Sequence, residues 1–378
     1  MLERLEVLPV RDPRGPEARR FIQLPFTLYR ACPQWVPPFR ADMRALLERK
    51  HPFFEHSPGD FYIARRGPRT VGRVMALENT RYNARHARCF GFFYLFECAE
   101  DPEAAAALLG AAEQWARARG LAAVVGPGGM GAGTGVGVLV EGFEHRAAMT
   151  MMGWNHPYYP ALLEQAGYSA YKHYYSARLD SRTFRMPERV RALAGKVLAR
   201  GHFRLLEFRR KRDLLAIAPR LGEIYNTAIA ASHPDSYPYT PAEIARVIRQ
   251  FAQVAEPSLI KVIAYQGQIA GFVFGFPDLS AALQRARGRL TPWSLLDLAA
   301  EYRRTDSLII NGAGILPQYQ RLGGNALLYH TLERTANSGR FRHGEMTQIA
   351  DTTSLMLADM QTLGGRVYKT HRVYKRDL

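Results

Sequence analysis

The feature that most limits what this chain can fold into is a repetition. Asp60 to Met75 reads as two alternating strands around a Gly-Pro turn, and Leu259 to Phe274 repeats that design roughly 200 residues later. Ile63-Ala64 answers Ile263-Ala264, and Gly72 answers Gly271. A second echo closes each half. Leu162 to Gly167 has the pattern of a short amphipathic helix ending in Gly before Tyr171-Lys172, and Leu357 to Gly364 has it again before Tyr368-Lys369. Two echoes in one order at nearly one offset predict a duplicated fold, because self-similarity reports a repeated supersecondary plan.

The segments between the echoes supply the remaining elements. Helices are expected over Pro16 to Arg30 and Leu214 to Ala231. Glu103 to Arg119 is Ala/Leu-rich, with Asp101-Pro102 as its start signal and Gly120 as its stop, and Leu121 to Val125 follows as a buried strand. Asp180 to Pro187 is polar, which places the boundary there: a first domain over residues 1–180, a linker over 181–201 and a second domain over 202–378. With 378 residues, each half is large enough to bury its own core. The fold class is α/β, with mixed sheets flanked by helices.

Composition bounds the partners. A formal charge of +17 and a pI near 10.0 favour anionic ligands: phosphorylated cofactors, acidic lipid surfaces or nucleic acid. Seven of the 51 basic residues are Lys, so a bias toward Arg is an equal explanation of the excess. Cys32, Cys89 and Cys98 form no CxxC pair, and His51 with His56 lacks a third nearby ligand, so neither a disulfide framework nor a metal site is expected. No apolar run approaches the roughly 18 to 20 residues of a membrane span, and the first 20 residues hold no h-region. A cytoplasmic protein is expected.

The chemistry is concentrated in one segment. Ser307 to Leu316 is an apolar strand, Pro317 to Ala326 a glycine-bearing turn, and Leu327 to Ala336 a helix. Such a turn leaves backbone N–H groups at the positive end of a helix dipole, an arrangement suited to an anion. It lacks the Gly-Lys-Ser/Thr of a P-loop and the second Gly-x-x-Gly of a dinucleotide fingerprint.

The order hairpin, strand, [Gln/Arg]-x-x-Gly-x-[Gly/Ala], helix, strand, short helix, strand resembles the GNAT superfamily of acyl-CoA-dependent acyltransferases. Arg321-Leu-Gly-Gly-Asn-Ala326 fits its loop pattern, with Gln320 to Gly323 as an alternative register. His51 to His56, Phe90 to Phe93 and Met151 to Pro160 further resemble a bacterial group with two GNAT-like domains in tandem. The resemblance implies a central, mostly antiparallel mixed sheet in each domain. It also implies that Arg321, Leu322, Gly323, Gly324, Asn325 and Ala326 hold the pyrophosphate of acetyl-CoA or a longer acyl-CoA. A bulky residue at Gly324 is expected to abolish that binding. Ile315 and Leu316 would border the thioester where the strand splays, with Gly312 and Gly314 permitting the splay.

Within that frame Glu345 is the first candidate general base, with His343 and His330 behind it. The position where the superfamily commonly carries a Tyr acid holds Met360, so Tyr368 and Tyr374 on the closing strand are candidate substitutes, and Asp351 is expected as an N-cap. Tyr237, Tyr239, Trp154 and Tyr158, in proline-interrupted segments, are candidate walls for an amine acceptor, an amphiphilic amine among them. In the first half Glu100 and Asp101 stand where a pyrophosphate would sit, so that site is expected to be degenerate, and Gly126 to Gly135 is expected as a mobile loop over the acceptor. Two other readings remain: a Fem-type transferase using aminoacyl-tRNA, and a non-catalytic basic protein binding RNA or an anionic membrane through Arg209 to Arg212 and Arg366 to Arg376. Nucleic acid is disfavoured without being ruled out, peripheral membrane contact fits the charge, and the oligomeric state is left open.

Overall fold

The structure, a computed structural model, describes residues 3–131, 134–232, 236–336 and 338–378. Along the chain run β1 (Leu5–Pro9), α1 (Pro16–Leu28), α2 (Arg40–Leu47), β2 (Gly59–Arg66), β3 (Arg69–Glu78), α3 (Thr80–His86), β4 (Phe90–Cys98), α4 (Pro102–Arg117), β5 (Ala123–Gly126), β6 (Val138–Glu141), α5 (Tyr159–Gln165) and β7 (Ser169–Asp180). They are followed by α6 (Glu188–Ala199), β8 (Phe203–Leu206), α7 (Lys211–Ser232), α8 (Pro241–Val254), β9 (Ile260–Tyr265), β10 (Gln268–Pro277), α9 (Ser280–Ala286), α10 (Pro292–Arg304), β11 (Ser307–Ile315), α11 (Gly324–Ala336), β12 (His343–Ala350), α12 (Ser354–Thr362) and β13 (Arg366–Asp377). The sequence β1-α1-α2-β2-β3-α3-β4-α4-β5-α5 is matched by β8-α7-α8-β9-β10-α9-β11-α11-β12-α12, apart from the added β6, α6 and α10.

Contacts divide the chain into two compact units: Met1–Tyr174 with Ser280–Leu298 and Lys369–Leu378, and Tyr175–Leu279 with Ala299–Tyr368. The contiguous division expected around residues 180–202 differs from this one. The strand following α5 passes at Tyr175 into the second unit, and the strand following α12 passes at Lys369 into the first. The physical reason is local: a strand pattern specifies which face is apolar, but not which sheet supplies its hydrogen-bonding edge.

In the first unit the strand order is β1-β2-β3-β4-β5-β13, with β6 also on β13. The β2/β3 hairpin pairs Ile63 with Arg73 and Ala64 with Gly72. Asp101 caps α4, its carboxylate accepting the Ala104 N–H at 3.0 Å, with Pro102 at the first helical position. Phe93, Leu108, Trp115 and Tyr374 pack in one core cluster, and Phe21, Phe61, Met75 and Val373 in another.

In the second unit the order is β7-β12-β11-β10-β9-β8. Here β9 and β10 form the second hairpin, pairing Ala264 with Ile269 and Ile263 with Gly271. Helix α8 starts in a reciprocal capping box between Thr240 and Glu243. Ile263, Val273, Ile310, Ile315, Leu327 and Met360 pack together on one sheet face. Phe272 and Phe274, next along the pleat, turn to the other face against Tyr225 of α7.

His371, wholly buried in β13 of the first unit, interacts through Nε2 with the Gly153 carbonyl at 2.8 Å. Burial pushes its pKa down from 6.5 to about 4, more than the carbonyl raises it. Between those values the unfolded chain binds the proton more readily, so stability is held above about pH 6.5 and lost as pH falls toward 4. Thermal melts from pH 4 to 7 should show that loss, worth up to about 3 kcal/mol, and His371→Asn should flatten it.

Candidate functional site

The second unit is opened by a mismatch in pairing. Strand β11 runs parallel to β12 from Ser307 opposite His343 to Ile310 opposite Met346, and no residue pair continues that ladder to the ends of the two strands. Its pairing with β10 does continue, to Ile315 opposite Gly271, across a bulge between Ile310 and Ala313. Gly312 sits in the bulge at φ +103°, a backbone conformation costly for any residue with a side chain. Beyond it, Asn311 to Gly314 remain half-exposed in the middle of a sheet, and the Asn311 side chain reaches across to donate to Gln348 Oε1 at 3.3 Å. A slot therefore opens between β11 and β12.

The expected anion loop stands at the mouth of α11. Gln320 Nε2 donates back to the Ile315 carbonyl at 3.1 Å, folding the turn onto the strand end. Arg321 at φ +61° and Gly323 at φ +90° both take the left-handed conformation. Among the described residues, no backbone carbonyl accepts from the N–H groups of Arg321, Leu322 or Gly323, while those of Gly324, Asn325 and Ala326 belong to the first turn of a 13-residue helix. Arg321, Leu322 and Asn325 are exposed. The donor set and the cation of Arg321 fit a diphosphate. Leu316 is different: its N–H is engaged by the Ala270 carbonyl at 2.9 Å, so it is no oxyanion donor.

Two candidates for acid–base work are brought together. The Tyr368 hydroxyl donates to the Glu345 carboxylate, and burial first, then that charge, push the Tyr368 pKa up, so the phenol stays protonated at neutral pH. Glu345 lies opposite Ile309, which lies opposite Phe276, so the three share the sheet face that α7 and α8 cover. Arg178 and Asp278 add charge around Tyr368, and Arg178 Nη2 is 3.3 Å from His343 Nδ1. Tyr239 stacks on Tyr225 at 6.3 Å, and a Cβ on Gly312 would stand 3.7 Å from the Tyr225 ring, so this pair borders the bulge. Tyr237 is buried, its hydroxyl donating to Glu243 at 2.9 Å, and supports Tyr239 from behind.

Other candidates are committed elsewhere. Tyr374 belongs to the first unit, wholly buried, with its hydroxyl donating to Glu164 at 3.0 Å. Trp154 and Tyr158 are also in the first unit, where Trp154 Nε1 donates to the Phe143 carbonyl at 2.8 Å and Tyr158 donates to the Cys98 carbonyl at 2.9 Å. Both bonds satisfy backbone carbonyls within the first unit's aromatic packing. Met360 is in the second unit's core, and the N-cap position of α12 is held by Thr353 rather than Asp351, its hydroxyl donating to the Ala350 carbonyl at 2.6 Å. The glycine-rich run over 126–135 is tied by Asn79 Nδ2 donating to the Gly129 carbonyl at 2.8 Å; residues 132–133, like His233 and Pro234, lie outside the described residues.

The first unit carries the same bulge, with Leu95 at φ +52°, and its β4/β5 contacts likewise stop short of it: the ladder runs from Phe90 to Phe92, and Gly128 N–H then donates to the Phe93 carbonyl at 2.9 Å. The N-terminus of α4 is filled by the Asp101 carboxylate, itself held by Arg66 Nε at 2.6 Å. Past the bulge, Glu97 enters a buried network that sequence reading missed. It accepts from Tyr29 and from Tyr159 at 3.0 Å, with Arg73 at 3.7 Å. Burial pushes the Glu97 pKa up and the Arg73 pKa down. The one available signal was Arg73, a charge inside an apolar strand.

A Cβ on Gly324 would meet Ile263 at 2.9 Å and Ile315 at 3.0 Å, so a bulky residue there disturbs the core as well as any ligand. Gly323 is constrained by conformation and by Val197 of α6, 2.6 Å from a built Cβ. Gly323→Val should therefore cost more than about 1 kcal/mol in a thermal melt, whereas Arg321→Gly, which relaxes a strained residue, should leave the melting temperature unchanged or raised.

No family model matches the chain. It is 29% identical over 386 residues to bacterial ceramide synthase of Caulobacter vibrioides (strain NA1000 / CB15N), covering 99% of this chain and 98% of that one. It is 25% identical over 369 residues to protein YghO of Escherichia coli (strain K12), covering 96% and 93%. Among solved structures, the tandem GNAT protein from the clavulanic acid biosynthesis pathway superposes with a TM-score of 0.55 at 14% identity, covering 99% of this chain and 98% of that one. The glucosamine N-acetyltransferase region of a fungal multi-domain β-N-acetylglucosaminidase superposes with a TM-score of 0.56 at 11% identity, over 100% of this chain and 38% of that one. With its twofold repeat of the same element order, the chain has the tandem GNAT fold.

Proposed function

We propose that this protein is an N-acyltransferase whose second unit moves an acyl group from acyl-CoA to the amine of an amphiphilic acceptor. The observation that carries the reading is the parting of β11 from β12 beside a helix whose leading amides are left without backbone acceptors. In the proposed complex, the N–H groups of Arg321 to Ala326 hold the pyrophosphate, and the thioester enters the slot near Gly312. A ceramide is an amide of a fatty acid and a long-chain amino alcohol. The name of the Caulobacter relative and the fold thus support the same bond.

In this reading Glu345 takes the proton from the acceptor ammonium, and its hydrogen bond with Tyr368, which fixes its orientation, supports that role. The freed amine then attacks the thioester carbonyl, its surplus proton passes to water, the C–S bond breaks, and the leaving thiolate takes back the proton held by Glu345. Met360, buried among apolar side chains, supplies none. Positioning does most of the work in such a transfer.

Calorimetry with free CoA should show one site per chain, and CoA at a hundred times its Kd should stabilise the protein by about 2.7 kcal/mol. Glu345→Gln should lower kcat about 100-fold or more with little change in CoA affinity, as expected for loss of a general base. Absence of CoA binding to the native chain would refute the reading.

A further inference from the structure

Helices α7 and α8 do not close completely on their sheet. Between them and β10 lies a cleft of about 580 Å³, partly open to solvent, whose walls include Leu214, Ala218, Tyr225, Val247, Phe251 and Phe274 and no charged residue. Its lining positions on α7 run from Leu214 to Tyr225, roughly 16 Å of helix. One wall reaches the bulge: a Cβ on Gly312 would touch Phe274 at 3.4 Å and Tyr225 at 3.7 Å. The cleft opens on the face that carries Glu345, whereas the core beneath α11 lies on the opposite face. The slot between β11 and β12 therefore joins a loop fit for a diphosphate on one face to an apolar channel on the other.

From this continuity we propose that the cleft holds the hydrocarbon chain of a long-chain fatty acyl-CoA, threaded from the thioester past Gly312 between α7 and α8. The inference rests on the N-acyltransferase reading and adds its donor class. Each methylene taken into such a cleft should tighten binding about fourfold at best.

The test is calorimetry of the full-length protein with free CoA, acetyl-CoA, octanoyl-CoA and hexadecanoyl-CoA. Affinity should rise at least 100-fold from acetyl to hexadecanoyl, and Ala218→Trp or Ala252→Trp, at half-buried lining positions, should cut the ratio of hexadecanoyl-CoA to free CoA affinity at least tenfold. A diazirine at the end of the hexadecanoyl chain, activated on the native protein, should label peptides within residues 214–225 or 247–255, a readout independent of how the variants fold. Free CoA bound with no dependence on chain length, or labelling elsewhere, overturns the cleft assignment while leaving the transferase reading in place. No binding of free CoA removes both.

A separate observation concerns the first unit. At the start of α10, Trp293 is 79% exposed, Leu296 63% and Leu295 55%, with Leu290 just before the helix at 54%. The buried side of this turn carries Ser294, and Asp297 is neutralised by Arg285 at 2.7 Å, so the outward side is apolar without an acidic group of its own. Arg287 and Arg289 stand exposed immediately upstream. Large apolar side chains displayed this openly beside cations match an interfacial anchor rather than a solvated helix face. No helix among the described residues is long and apolar enough to cross a membrane.

We infer that this turn inserts Trp293 and its neighbouring leucines into the headgroup region of an anionic bilayer. The protein should float with vesicles of equal phosphatidylglycerol and phosphatidylcholine, and weakly with phosphatidylcholine alone. Trp293→Ser with Leu296→Ser should reduce flotation at least tenfold without altering the melting temperature. Unchanged flotation of that variant, no flotation of the native protein, or a native dimer that the double substitution splits would each overturn the assignment.

Discussion

Strand β11 keeps its ladder to β10 up to Ile315 but its ladder to β12 only as far as Ile310, and Gly312 is where the two diverge. An extra residue in one strand bends it and sharpens its twist. Here the bend carries the strand end away from β12 and toward Ala270, whose carbonyl takes the Leu316 amide. The loop at Arg321, the half-exposed middle of β11 and the carboxylate of Glu345 acquire their meaning from that divergence. Were β11 straight, its backbone would be satisfied on both sides and nothing could pass through the sheet.

The first unit shows what the same plan becomes when the space past the bulge is filled by side chains. It has the bulge, at Leu95, and the helix that follows. Its helix end is occupied by Asp101, and the interior past the bulge is given to Glu97, Tyr29, Tyr159 and Arg73. A buried polar network of this kind is stable only with its members satisfied, which makes it a rigid element rather than an adaptable pocket.

Much of the fold was legible in the sequence because its signals are local. Gly-bearing turns flanked by alternating residues gave both hairpins, and Asp101-Pro102 gave the start of α4. The loop from Arg321 to Ala326 was legible for the same reason, since strand, glycines and helix are contiguous. Glu345 and Tyr368 were each visible, but their hydrogen bond joins strands separated by α12. What was not legible depended on distant partners. Tyr374, Trp154 and Tyr158 looked available because their hydroxyl and indole acceptors, at Glu164, Phe143 and Cys98, lie on other elements. The network around Glu97 draws on β3, β4, α5 and the residue after α1, and no spacing rule unites them.

The crossing of the strands at Tyr175 and Lys369 makes the gene indivisible at its apparent midpoint. A fragment cut after Asp180 would lack Lys369–Asp377, which pairs with β6 and then β5, and would carry a strand whose own sheet had been left behind. Each half would then present a raw β edge, the template on which chains aggregate or capture one another. Duplication produced two similar plans, but the exchange of their final strands ties them into one unit of inheritance, and either half can be transplanted only with its borrowed strand.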